Sequence, residues 1–168
     1  QSLTSTFWDA DWGCFFRTMT VHGPDRTPDA STLLVGLMGS MPMEDPRVRS
    51  NLKHILGRLS VSDQAPGIAR YEGDWYWRID EGVPGNAWII TTLWAAQTQI
   101  RLAASRGELE DVLPVLQWAI DAGGSCVSLP EQVHPHSGAP LSVAPLAWSH
   151  AELLRTALDW CERSAELA

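Results

Sequence analysis

The sequence predicts an all-α fold, with about five helices in two layers and a short extended segment ahead of them, the pattern of part of an α/α toroid. Apolar residues recur at helical spacing in successive stretches of the chain. One stretch, 86–105, is apolar on nearly every face, whereas 46–59 carries a single apolar stripe, so inner and outer helices alternate. Strand-like alternation is confined to the N-terminal region. With 168 residues, 45% of them hydrophobic, the chain is long enough for one compact domain, 1–168.

Phe7 to Val21 is rich in aromatic and β-branched residues around Gly13 and reads as a hairpin or two short extended pieces. His22 to Pro28 is a loop. Asp29 caps a helix running through Leu33, Leu34, Leu37 and Met38, which Met41-Pro42 ends. Asp45-Pro46 sets a cap with proline in the first turn, where the missing N–H is not needed. That helix runs to Leu59, with Val48, Leu52, Ile55, Leu56 and Leu59 on one stripe.

Ser60 to Gly85 is a long irregular connection whose aromatic density argues against disorder and for function. Asn86 then caps a buried helix to about Ser105. Leu109 to Ala122 is helical, Pro114 either kinking it or marking its first turn, and Gly123-Gly124 stops it. A last helix runs from Pro145 or Leu146 to Glu162.

The formal net charge of −8 opposes nucleic-acid phosphates and anionic lipid, so neither is an expected partner. No apolar run is long enough to span a bilayer. Cys14, Cys126 and Cys161 are far apart and read as buried or half-buried free thiols rather than a zinc site or a disulfide framework. That leaves the compartment open, with a reducing, cytoplasmic one favoured. Gln1 to Thr6 lacks the basic start and apolar run of a secretory leader. His54 and His150 have no acids at metal spacing, and His134 and His136 offer only two imidazoles around Pro135.

Between the last two helices lies a loop punctuated by Pro130 and Pro145, with a turn at His134 to Gly138. It places Glu131 in irregular backbone, where catalytic groups tend to lie, although spacing alone favours a surface acid. Arg70 carries a guanidinium fork suited to vicinal hydroxyls, or to a structural salt bridge with Glu72 or Asp74. Trp75 and Trp77 suit either stacking on sugar rings or lid packing, and Trp148 either lines a pocket or locks the loop from behind.

The segment Gly124-Ser125, Ser128-Leu129-Pro130-Glu131-Gln132, then Pro140-Leu141-Ser142 and Leu146-Ala147-Trp148-Ser149, resembles the last active-site segment of glycoside hydrolase family 15, the glucoamylase and glucodextranase family. Pro28-Asp29-Ala30-Ser31, Arg70-Tyr71-Glu72-Gly73-Asp74 and Gly85-Asn86-Ala87-Trp88 resemble three further motifs in the same order, with Ala87 standing where the family has proline. The resemblance implies the C-terminal part of a twelve-helix (α/α)6 barrel. It implies Glu131 as general base, Ser142 as its hydrogen-bonding partner, and a substrate contact at Arg70, with Tyr71, Glu72, Trp75 and Trp148 as further candidates for substrate binding.

The implied reaction is inverting release of glucose from α-glucans without a cofactor or metal. Its two carboxyl groups would stand roughly 6.5–9.5 Å apart to admit a water. The resemblance finds no general acid here. Glu72, Asp74 and Glu81 receive no such role, so the chain by itself is expected to be inactive, either completed by an N-terminal half or self-associating. The other reading is a non-catalytic helical module that binds carbohydrate or serves assembly.

Overall fold

The computed structural model describes residues 2–126 and 128–168. Gln1, at the head of the stretch read for a leader, and Val127, within the loop motif, lie outside the described residues. The N-terminal region forms two antiparallel hairpins, β1 (Trp8–Asp9) with β2 (Cys14–Phe15) and β3 (Thr18–Thr20) with β4 (Gly23–Asp25). A one-and-a-half-turn helix, α1 (Ser2–Phe7), precedes them, which composition did not predict. Asp9 builds the first turn: its Oδ1 accepts from the N–H groups of Asp11 and Trp12, and its Oδ2 accepts from Arg26.

Asp29 caps as expected, accepting from Ser31 N at 2.8 Å, but the turn it starts is a 3-10 helix (Ala30–Leu33) continued by only one α-turn, α2 (Leu34–Leu37). The helix α3 (Pro46–Leu59) begins and ends where its cap and stripe predict. Val48, Leu52, Ile55 and Leu59 are buried on its inner face, with Leu56 at the edge.

The inner helix is α4 (Ile89–Leu102), shorter at both ends than its apolar run. Asn86 does not cap it. Ala87–Trp88 instead forms β5, the edge of a three-stranded antiparallel sheet with β6 (Gln132–Val133) and β7 (Pro140–Leu141). Asn86 lies beneath that edge, donating to Trp77 O and to Gln132 Oε1 and accepting from Ile79 N. Burial of both amides makes this pairing more favourable than a cap exposed to water. Eleven of the fourteen residues of α4 are buried, so other elements cover most of its surface.

The stretch beyond α4 is two helices, α5 (Arg106–Glu110) and α6 (Leu113–Ala122), with Pro114 in the first turn of the second. The last helix, α7 (Ala147–Glu166), runs one turn past its expected end and lies along α4. Their contact is polar as well as apolar. Gln97 donates to Glu152 and Thr156, and Arg101 forms a fork on Asp159. At the C-terminus of α4, Arg49 and Arg163 donate to the orphan carbonyls of Leu102 and Ala103, so the basic hollow of about 670 Å³ that they line is a helix-capping device. Cys14 is buried, but Cys126 and Cys161 are exposed, which corrects the expectation for two of the three thiols. No helix of the described residues is long and apolar enough to cross a membrane.

The outer face of α7 carries Ala147, Ala151, Leu154, Leu158, Cys161 and Ala165, all exposed and alternating by four and three positions. This second apolar stripe has no partner within the described residues. Leu154 and Leu158, 63% and 51% exposed, therefore add little to the stability of the chain itself. Replacing both with Glu should move the thermal midpoint by only about 2 °C, whereas Leu93→Ala, at a fully buried position, should cost about 2–5 kcal/mol; calorimetry separates the two.

Asp45 should behave oppositely to that surface pair. Its side-chain and backbone hydrogen bonds from Arg47 hold its pKa down to about 2 from 3.8. A carboxylate depressed on folding stabilises fully above its unfolded pKa, and the contribution is lost as pH falls from about 4 toward 2. Asp45→Ala should cost about 1 kcal/mol at neutral pH, and in denaturant unfolding the gap from wild type should narrow below about pH 4.

Candidate active site

One layer of backbone hydrogen bonds joins the segments that carry the predicted site residues. Ala30 N donates to Arg70 O, Trp88 N to Ile68 O, and Ile89 N to Glu131 O, at 2.9, 3.0 and 3.1 Å. Glu131 N in turn donates to Val143 O, and Leu146 N to Leu129 O. The first turn of α7 adds Ser149 Oγ, which donates to Pro130 O, and His150 Nε2, which accepts from Leu129 N. The loop holding Glu131 is irregular in shape but fixed from both sides. Gly67 lets the neighbouring segment approach it: a Cβ there would stand 2.5 Å from that of Ala87.

Glu131 and Arg70 line the same cleft, of about 530 Å³. Ser142 Oγ donates to Glu131 Oε2 at 2.5 Å. Ser142 holds φ at +61°, a region that costs a residue with a Cβ of order 1 kcal/mol, and its hydroxyl bond helps offset that strain. No ion pair engages Glu131 among the described residues.

Arg70 is clamped. Its Nε and Nη2 donate to the two oxygens of Asp74, at 3.0 and 2.9 Å, and Asp74 is buried. The guanidinium carbon lies 4.4 Å from the ring centre of Trp88 and 5.0 Å from that of Tyr71. Burial works against the charge, but the Asp74 bonds and charge outweigh it and push the Arg70 pKa up. The salt bridge and the cleft position are thus both real. The clamp fixes a cation that is still about a third exposed to the cleft.

Tyr71 and Trp148 join the cleft wall, Trp148 with its Nε1 donating to Glu152 and its ring 5.8 Å from that of Trp94. Glu72 and Trp75 do not reach the cleft. Glu72 pairs with Arg58 at the surface, and Trp75, 67% exposed, lies under Arg78. Trp77 is also exposed, at φ +56°, outside the lining. The connection has its own fold here, with Arg78 donating to the carbonyls of Asp80, Glu81 and Val83, and this turns the indoles away.

Several lining residues were not anticipated as site residues: Arg17, Asp29, Ser31, Thr91 and Trp94. Asp29 and Ser31 lie in a motif that signals a helix start, while Arg17 comes from the hairpin region, where nothing local marks it. Trp88 is both buried and lining, and its Nε1 has no hydrogen-bond partner among the described residues. No group of three or more His, Cys, Asp or Glu is placed to hold a metal among the described residues. His136 instead pairs with Asp80 at 2.8 Å, tying the two site loops together at their rims.

The family model described as Glycosyl hydrolases family 15 matches residues 1–122. The chain therefore belongs to glycosyl hydrolases family 15. An uncharacterized glycosyl hydrolase of Methanocaldococcus jannaschii, MJ1610, is 34% identical over 145 residues, 80% of this chain and 22% of that protein. A bacterial glucoamylase complexed with acarbose superposes with a TM-score of 0.77 at 18% identity, over 96% of this chain and 27% of its own. The wild-type form of a protein titled glycosidase gives a TM-score of 0.72 at 23% identity, over 95% and 42%. The family 15 glucoamylase from Hypocrea jecorina gives 0.71 at 18%, over 95% and 35%.

The fold is part of an (α/α)6 toroid, and the chain spans well under half the length of each of these proteins. The family match includes Asp29, Arg70 and Trp88 but ends before Glu131.

Arg70→Ala would leave Asp74 buried without its cation. We expect it to cost about 2–3 kcal/mol, discounted from a fully buried pair because Arg70 is partly exposed. Arg58→Ala, at an exposed pair, should cost under about 1 kcal/mol. Arg70→Lys should restore only part of the loss, because one ammonium cannot reproduce the fork. Chemical unfolding of the three variants checks the order.

Proposed function

We propose that residues 1–168 form one unit, the C-terminal part of the catalytic domain of an inverting, exo-acting α-glucosidase that releases glucose from α-glucans. The observation that carries this reading is Glu131, oriented by Ser142 and free of any ion pair, in one cleft with the clamped Arg70. Glu131 draws a proton from the attacking water. Arg70 binds sugar hydroxyls, Tyr71 and Trp88 support the guanidinium of Arg70, and Trp148 offers an apolar wall to the rings. The acarbose complex of the similar bacterial glucoamylase supports a glucan-like ligand.

The other carboxylate lining the cleft, Asp29, has one oxygen accepting from Ser31 N and the other facing Arg17, so it organises the wall rather than protonating a leaving group. The general acid therefore comes from polypeptide beyond these residues, which the length of the relatives accommodates. The exposed stripe on α7 supports the same view: helices completing the toroid would cover it.

In a protein containing both parts, Glu131→Gln should lower kcat by about 10²–10⁴-fold with substrate binding retained. The 168-residue protein alone should release no glucose from maltose, and release by it would overturn the division of the acid and base between two parts. A non-catalytic carbohydrate-binding role is the second reading, favoured by the exposed Trp75 and Trp77 outside the cleft. Unchanged turnover in the Glu131→Gln variant of the complete protein would select it.

A further inference from the structure

We propose that His54 is an acid-sensitive catch for the first hairpin: as a neutral imidazole it seats β1 and β2 on α3, and as an imidazolium it lets them go. The hairpin docks on α3 through three side chains. Ser50 Oγ donates to Gly13 O at 2.7 Å, and Asn51 Oδ1 accepts from Phe15 N at 3.1 Å. Asn51 Nδ2 also donates to Thr32, which ties this seat to the turn that Asp29 caps. Further along α3, the His54 ring lies against Trp12, with centres 5.9 Å apart and planes tilted by 30°. The seam is tight, because a Cβ at Gly13 would stand 2.6 Å from Ser50 Oγ.

His54 Nε2 is buried and has no hydrogen-bond partner among the described residues. A neutral imidazole tolerates one such nitrogen. The imidazolium carries N–H on both, so Nε2 would become a donor without an acceptor. Protonation is then satisfied only by admitting water, which requires Trp12 to move aside. Trp12 is itself 45% exposed, so its departure uncovers little. Burial accordingly holds the His54 pKa below 6.5, and the Arg58 charge, one turn on, acts in the same direction. Glu72 of the long connection, Asp9 of the hairpin and the Trp12 backbone oppose them. Both carboxylates are already paired, Glu72 with Arg58 and Asp9 with Arg26. A His whose pKa falls on folding stabilises fully above its unfolded value of 6.5, and that contribution is lost as pH drops toward the folded value. Release would reach the cleft, because Arg17, two residues beyond Phe15, belongs to its wall.

The test is amide exchange, corrected for intrinsic rates, between about pH 5 and about pH 7.5 in wild type and in His54→Phe, whose ring does not titrate. NMR follows the His54 ring in wild type and in Trp12→Ala. In wild type, opening of Trp8–Phe15 should increase by up to about tenfold per unit of pH below 6.5, until His54 is protonated in the closed form as well. In His54→Phe that dependence should vanish. Trp12→Ala should bring the His54 titration back toward 6.5. A wild-type ring that titrates at 6.5 or above overturns the catch, as does the same pH dependence in His54→Phe. An acid-induced rise spread equally over α3 and α4 also overturns it, because the whole chain then opens together. Should His54→Phe fail to fold, His54→Gln decides, since it keeps a polar side chain that takes up no proton.

Discussion

The structure depends on the pairing of β5 with β6, because that pairing brings the start of the inner helix against the loop of Glu131. Ile89, the first residue of α4, gives its N–H to the carbonyl of Glu131. This N–H is one of the four that a helix cannot satisfy internally. Trp88 N, one position earlier, bonds to Ile68 O, and the chain two residues beyond Ile68 reaches Arg70. Two consecutive amides at one helix end thus set the places of the two candidate functional groups. Neither group is on a helix, yet both are held by the end of the most buried helix in the chain. A loop tied by its backbone in this way keeps its side chains in place without regular structure of its own.

The buried amides of Asn86 and Gln132 reinforce this join. Asn86 satisfies the carbonyl of Trp77, the N–H of Ile79 and the side-chain carbonyl of Gln132, linking the long connection to the sheet. An apolar pair at these positions would strand those backbone groups in the interior, at about 1–3 kcal/mol each. The same logic operates at the far end of α4, where Arg49 and Arg163 donate to the carbonyls of Leu102 and Ala103 and Arg101 ties the helix to Asp159 of α7. The inner helix is buried along most of its length and held by hydrogen bonds at its two ends and, through Gln97, at its middle, which leaves its register little freedom.

What the sequence made legible follows from the range over which each signal acts. The cap at Asp45-Pro46, the stripe of α3 and the all-round burial of α4 are local patterns, and the structure matches them. Asn86 failed as a cap because its partner, Gln132, is forty-six positions away, and propensity cannot weigh a bond at that distance. The three-stranded sheet was invisible for the same reason, each strand being two residues long. Glu131, Arg70, Tyr71 and Trp148, which line one cleft, and Ser142, which bonds to Glu131, all lie in or beside the motifs of the resemblance. Glu72 and Trp75 lie in the same region but outside the cleft, Glu72 paired with Arg58 and Trp75 under Arg78. Arg17 lay outside every motif and entered the cleft only through the hairpin fold.

The charges in the cleft have a logic of their own. Each of the two guanidiniums lining it has a carboxylate partner, Asp29 for Arg17 and Asp74 for Arg70. Both pairs keep a cation in place for contact with a ligand while leaving little net field. Glu131 is the exception, holding a hydroxyl rather than a cation. The Ser142 hydroxyl orients the Glu131 carboxylate without bringing a charge to it. The left-handed backbone of Ser142 fits this account. Glycine would adopt φ +61° without strain but has no hydroxyl, so the strain at that position is the cost of pointing a donor at Glu131. Glu131 and the two arginines thus line one cleft with no ion pair between them among the described residues.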